Sequence, residues 1–119
     1  MFLKTNRIAV KADAANKLKI LKGRTGLTPN ILCRIAICMS LNTKATVEST
    51  TTDETGLEFN KFTLLGENEA LLTSLLVQYH FNNTYKTPTE GELLTDLKWH
   101  LNRGVNIVYS RVKNLQDLI

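Results

Sequence analysis

Between Thr28 and Leu41 the chain reads TPNILCRIAICMSL, and from Ile31 to Met39 its only charged residue is Arg34. Threonine at 28 is a good N-cap. Proline at 29 fits the first helical position, where a missing amide hydrogen costs nothing. The spacing predicts a helix from Asn30 to about Leu41. A helix that is apolar nearly all round must be covered on most sides, by its own chain or by another copy. This run therefore sets the architecture: other helices have to pack around it.

The neighbouring segments supply them. Residues Lys4–Lys11 read KTNRIAVK, where Ile8 and Val10 alternate with Arg7, Ala9 and Lys11 in a weak strand pattern. Asp13 can cap a following helix whose Ala14, Leu18 and Leu21 share a face, and Gly23 is its expected stop. Residues Asn42–Gly56 are rich in Thr, Asp, Glu and Ser and read as a solvated loop. A short extended piece fits within Leu57–Leu65. A helix opening at Glu67 or Asn68 would put Leu71, Leu72, Leu75, Leu76 and Tyr79 on one face. Thr87-Pro88-Thr89-Glu90 forms a capping box with proline at the first helical position. The helix it starts carries Leu94, Leu97 and Leu101. Gly104 either separates two helices or weakens a single long one. Beyond it, Val105, Val108, Val112, Leu115 and Ile119 make a heptad-like seam. The fold class expected is mainly α, a small helical bundle with at most a short N-terminal strand and one other short extended piece. At 119 residues, 43% of them hydrophobic, the chain reads as one domain, residues 1–119, with a sizeable core.

Charge divides the chain. Residues 1–44 hold nine bases and one acid, a net +8; residues 45–119 hold six bases and ten acids, a net −4. A field this one-sided points to a polyanionic partner. Lysine and arginine neutralise phosphates and release counterions, which gives salt-sensitive, sequence-independent binding to nucleic acid. The candidate contacts are Lys4, Arg7, Lys11, Lys17, Lys19, Lys22 and Arg24. Lys19 and Lys22 fall on one flank of their helix and Lys17 on the other. Gly23 and Gly26 bracket a G-x-x-G segment ahead of a helix start, where free amides attract phosphate and glycine lets a backbone approach. The same spacing is routine in a turn between helices. The acidic helical part spans 57–119.

Other chemistry finds little purchase. Cys33 and Cys38 lie five apart in an apolar run, on different helix faces, and read as reduced core thiols. His80 and His100 have no carboxylate or cysteine at metal-ligand spacing and read as structural or surface histidines. No phosphate loop or nucleophile elbow is present. Phe59, Phe62, Tyr79, Phe81, Tyr85, Trp99 and Tyr109 are scattered without interleaved bases, which suits core and boundary packing better than base stacking. No cofactor and no metal are expected. No stretch has the ~18 apolar residues of a membrane span, and MFLKTNR lacks a signal-peptide core, so a cytoplasmic protein is expected.

The segment Lys22–Leu41, KGRTGLTPNILCRIAICMSL, together with the preceding NRIAVKADAANKLKIL, resembles the DndE family of the bacterial DNA phosphorothioation system. The resemblance covers residues 6–41. It implies a place in the chemistry that replaces an oxygen of the DNA backbone phosphate with sulfur, mobilised by a cysteine desulfurase and passed through an iron–sulfur protein. It implies a helical homotetramer without an enzymatic motif of its own, binding duplex DNA at nicks through surface lysines, alongside other sulfur-modification proteins. Lys17, Lys19, Lys22 and Arg24 fall in the stretch that would carry that role.

Two other readings fit the same residues. The order strand, helix, turn, helix is that of a ribbon-helix-helix regulator, in which strands from two chains enter the major groove and Arg7, Ala9 and Lys11 would face the DNA. A structural adaptor joining protein partners is the third.

Overall fold

The computed structural model describes residues 7–43 and 58–119. Lys4, Lys44 and most of the Thr-rich segment lie outside the described residues. Strand β1 (Arg7–Ala9) pairs antiparallel with β2 (Glu58–Asn60) in the register Arg7↔Asn60, Ile8↔Phe59, Ala9↔Glu58. The pleat turns Ile8 and Phe59 inward and leaves Arg7, Glu58 and Asn60 exposed. The chain starts strand first and helix next as expected, and β1 takes its partner strand from its own chain, whereas a ribbon-helix-helix regulator pairs strands of two chains.

Of the five helices described, α1, α2, α4 and α5 follow the pattern read from sequence, with shifted ends; α3 does not, because only Glu58–Asn60 of the expected extended piece is a strand and Lys61–Leu65 turns helical. Helix α1 spans Ala12–Thr25, with Lys11 rather than Asp13 at the N-cap, and Asp13 inside the first turn. It runs through Gly23 and stops at Gly26, whose φ of 77° is the left-handed cap and whose N–H donates to the Lys22 carbonyl at 2.8 Å. Helix α2 is Pro29–Leu41, with Thr28 at the N-cap, as the Thr-Pro pair predicts. Leu32, Cys33, Ala36, Ile37 and Ser40 are buried. Ile31 is 40% exposed and Cys38 is exposed, so α2 is covered on one side only, and Cys38 is not a core thiol.

Helix α3 (Lys61–Leu65) is capped by the Asn60 carboxamide, which accepts from the N–H groups of Phe62 (2.9 Å) and Thr63 (3.3 Å). Arg34 of α2 donates to the carbonyls of Thr63 and Leu64, both at 2.7 Å, and so closes the other end of α3. Helix α4 is Glu69–Thr84. Its leucines divide: Leu72 and Leu76 are buried with Thr73 and His80, whereas Leu71 is 60% exposed and Leu75 42%. The single leucine face expected there is not present.

Helix α5 runs unbroken from Glu90 to Arg111. Its capping box sits two residues later than Thr87–Glu90: Thr89 Oγ1 accepts from the Glu92 N–H (3.2 Å) and the Glu92 carboxylate accepts from the Thr89 N–H (3.0 Å). Gly104 lies inside α5 and neither splits nor ends it. The seam beyond it holds for Val105, Val108 and Val112, all buried, and fails at Leu115 and Ile119, which are exposed. The most extensive contact between described helices is that of α2 with α5, and α1 and α4 pack on the same long helix. The buried cluster draws from the strands and from all five helices.

Candidate nucleic-acid interface

The structure sorts the basic residues of the N-terminal third into two sets on opposite sides of α1. Lys19 and Lys22 are exposed on the outer face, with Asn16, Ile20 and Gly23 exposed beside them. No hydrogen bond or ion pair ties either ammonium among the described residues. Both groups stay hydrated and available to a phosphate.

Lys17 and Arg24 turn the other way, toward α5. The Lys17 ammonium donates to Asp13 one turn back (2.9 Å) and to Asn106 Oδ1 (2.6 Å). An acid four residues ahead of a lysine is the favoured order for a helical ion pair. Arg24 donates to the carbonyls of Tyr109 (3.2 Å) and Val112 (3.5 Å), where α5 ends with unpaired carbonyls. The Arg24 guanidinium stacks 4.6 Å from the Tyr109 ring centre, with Lys17 at 5.4 Å and Lys113 at 5.7 Å. Three cations thus gather around one aromatic ring. Tyr109 was legible in the sequence only as a packing residue.

Arg7 forms an ion pair across the ribbon with Glu58 at 3.1 Å, both side chains well exposed. Lys11 holds the N-cap position of α1, and its backbone N–H donates to Asn102 Oδ1 at 3.3 Å. Its side chain borders a cleft of about 260 Å³ between the start of α1 and the middle of α5. Gly23 to Thr25 are helical, so the G-x-x-G segment is not a loop; only Gly26 leaves the helix. Lys4 lies outside the described residues. The DNA-facing candidates that the fold leaves outward on α1 are Lys19 and Lys22, with Lys11 at its start.

Sequence reasoning missed the polar face of α5. Trp99, Asn102, Arg103 and Asn106 recur at helical spacing and all border the cleft at Lys11. A polar and aromatic stripe of period three to four on one helix was the signal that could have found them. Arg103 also clasps the end of α2. It donates through Nε to Ser40 Oγ (2.9 Å) and through one terminal nitrogen to the carbonyls of Ser40 and Thr43.

Two histidines sit in the core with defined partners. His100 is fully buried, its Nδ1 2.8 Å from Ser40 Oγ, and the rings of Tyr79 and Trp99 meet it edge-on. Burial first, and then the nearby Arg103 charge, press its pKa down from 6.5 to about 4. His80 lies between α4 and α5, its Nδ1 2.7 Å from the Asp96 carboxylate and its Nε2 3.7 Å from Glu92. Burial raises the Asp96 pKa; the hydrogen bond from His80 opposes that. The Cys33 thiol is pushed up to about 12 by burial, and Cys38 is raised by the same cause. Neither is poised as a thiolate nucleophile. Among the described residues no group of three or more His, Cys, Asp or Glu is placed to hold a metal ion, and no helix is long and apolar enough to cross a membrane.

A short two-stranded ribbon under a helical layer, with basic side chains concentrated on α1, defines a small mainly α protein of one fold family. A sequence model described as DNA sulphur modification protein DndE matches residues 7–116, and the chain belongs to the DndE family. The crystal structure of DndE from Escherichia coli B7A, involved in DNA phosphorothioation modification, is 27% identical. It superposes with a TM-score of 0.73, and the match covers 91% of this chain and 98% of that one. The crystal structure of a glycine-to-lysine DndE mutant involved in DNA phosphorothioation is 24% identical, with a TM-score of 0.70 over 91% of this chain and 99% of that one; at that identity the likeness speaks to fold alone. No curated protein matches the chain.

Proposed function

We propose that the protein is a non-catalytic DNA-binding component of the bacterial phosphorothioation system. It holds the duplex backbone, at nicks as well as on intact stretches, through Lys19, Lys22 and Lys11, with Lys4 and Arg7 alongside. Family membership supports the pathway. The observation that carries the DNA contact is the pair of exposed lysines on the outer face of α1, unpartnered among the described residues, in a segment of net +8. Lys17 and Arg24, which the sequence groups with them, serve the interface by fixing α1 against α5. Gly23 keeps that outer face low, and Gly26 ends it.

The protein works in the cytoplasm with other sulfur-modification proteins and as a homotetramer. One-sided cover of α2 supports the assembly, since Ile31, Ile35 and Met39 remain partly open. Repeating the basic face on one particle would raise retention by avidity, provided one duplex reaches two copies. A role without chemistry of its own is supported by the buried or structural use of its histidines and of Cys33.

The ribbon-helix-helix reading is disfavoured because β1 pairs with β2 of the same chain. An adaptor is the second reading, favoured by the exposed leucines 71 and 75 on α4. Gel shifts with intact, nicked and sequence-scrambled duplexes at two salt concentrations decide between them. Salt-sensitive retention without sequence preference is expected. Absence of retention at low salt would leave the adaptor, and strong preference for one sequence would restore the regulator.

A further inference from the structure

Helix α4 turns one uncharged side outward along its whole length. Leu71 is 60% exposed, Leu75 42% and Phe81 44%, and Tyr85, at the C-cap, is 81% exposed. Ser74, Gln78 and Asn82 are exposed between them. These positions recur at spacings of three and four, so they form one stripe. Of the whole chain 22% is charged, yet the acidic and basic side chains of α4 are Glu69 and His80 alone. Neither belongs to the stripe: Glu69 lies 3.7 Å from the Lys61 ammonium, and His80 is buried against Asp96.

The polar groups of the stripe are largely spent along their own helix. Ser74 Oγ donates to the Ala70 carbonyl at 2.7 Å, and the Gln78 carboxamide donates to Asn82 Oδ1 at 2.7 Å. Covering the stripe therefore leaves few polar groups to satisfy. Tyr85 holds a φ of 60°, a left-handed cap that glycine or asparagine normally takes. Its N–H donates to the Phe81 carbonyl at 2.8 Å, and a bulky ring is kept outward at a cost in backbone strain. The four large side chains together expose about 500 Å², the size at which an apolar patch on a soluble protein marks an interaction surface.

We infer that this stripe is a contact with a second copy of the chain, made by α4 lying antiparallel to α4 across a two-fold axis. A two-fold contact sets each face against itself, and a face without charge does not repel its own copy. The charges at its two ends have opposite signs: Glu67 is exposed just before α4, and Lys86 just after its cap. Antiparallel pairing brings Glu67 of one copy to Lys86 of the other, twice over. It also sets the positive start of each helix beside the negative end of its neighbour. In that register the axis falls between Leu75 and Gln78. The contact uses none of Lys11, Lys19 and Lys22, so the basic face stays open. A tetramer of dihedral symmetry needs two different two-fold contacts. The open side of α2 offers one, and the α4 stripe offers the other. As one contact of a tetramer the stripe rests on the assembly reading; as a self-association face it stands on α4 alone.

Light scattering of the full chain across a dilution series, with circular dichroism on the same samples, tests this. Leu75 is solvent-facing in the single chain, so Leu75→Glu should keep the helicity while placing two acids near the axis. The wild-type protein is expected at the mass of four chains. Leu75→Glu is expected at the mass of two, with the α4 contact weakened about a hundredfold. Glu67→Lys should weaken it several-fold at low salt, and adding Lys86→Glu should restore it. A four-chain mass kept by Leu75→Glu overturns the α4 contact and leaves the tetramer reading intact. A two-chain wild type that Leu75→Glu takes to single chains keeps the contact and overturns the tetramer. Single chains throughout the series overturn both, and leave the leucines to a different protein. Failure of the double charge reversal to restore the mass overturns the antiparallel register.

Discussion

Gly104 of α5 sits so close to the carbonyl of Ala36 that a Cβ at position 104 would overlap the carbonyl oxygen. Both contacting groups are main chain, so no rotamer can relieve the overlap. Gly104→Ala should therefore push the two helices apart and cost about 3 kcal/mol or more, at the upper end of overpacking effects. Gly23 is the control. It too is helical, but nothing lies within 4 Å of its missing Cβ, and Gly23→Ala should stabilise by about 0.5–1 kcal/mol. Urea unfolding of the two variants checks the pair; equal shifts would mean that α2 and α5 are less closely seated.

The division of the lysines gives a second expectation. Lys19→Ala with Lys22→Ala should leave the melting temperature nearly unchanged and reduce the salt slope of DNA binding by about 0.9 for each phosphate no longer neutralised. Lys17→Ala should do the reverse: a stability loss of about 0.5–1 kcal/mol through Asp13, Asn106 and Tyr109, with a smaller change in slope. A salt slope more sensitive to Lys17 than to the pair would return Lys17 to the DNA-facing set.

Acid should weaken the fold through His100. Its folded pKa of about 4 lies below the unfolded 6.5, so the unfolded chain takes up the proton first. Stability from this group is complete above about pH 6.5 and is lost as pH falls toward 4, by ~2–3 kcal/mol at pH 4. Chemical unfolding from pH 7 to pH 4 measures it. His100→Asn removes the titrating ring and should flatten that limb of the profile; an unchanged limb would assign the acid sensitivity elsewhere.

The two thiols should separate by access. One equivalent of iodoacetamide-reactive thiol, Cys38, is expected in the dilute, separated subunit, with protection as assembly covers the open face of α2, and a second only after unfolding, Cys33. Because burial raises both pKa values, even Cys38 should react slowly at pH 7 and faster as pH rises. Mass spectrometry of the labelled peptides reads the order, and early labelling of Cys33 would contradict its packing.

Local grammar carried most of the fold into view. Thr28-Pro29 marks the start of α2 because proline there lacks only a hydrogen that no carbonyl would receive. Helix ends were less legible, because two residues competed at each: Gly23 against Gly26, and Thr87 against Thr89. At the first pair α1 absorbs Gly23 and ends at Gly26; at the second Thr89 makes the reciprocal cap with Glu92 and Thr87 stays outside α5. The alternation at Ile8 and Val10 announced a strand, but its partner about 50 residues on carries no local mark. The site was legible as charge and illegible as geometry. Counting bases finds nine in residues 1–44, while only tertiary structure shows that Lys17 and Arg24 face Tyr109 and that Trp99 shares a cleft with Lys11.

The seat of Gly104 on Ala36 has one more consequence. The positive stretch contributes α1 and α2, the negative stretch α3 to α5, and this close main-chain approach joins one stretch to the other. A nick in the polypeptide between residues 44 and 57 would sever the covalent path without touching that seat. The two pieces, one cationic and one anionic, should then behave as a split protein: attracted at low salt, and held together by a shared interior at high salt.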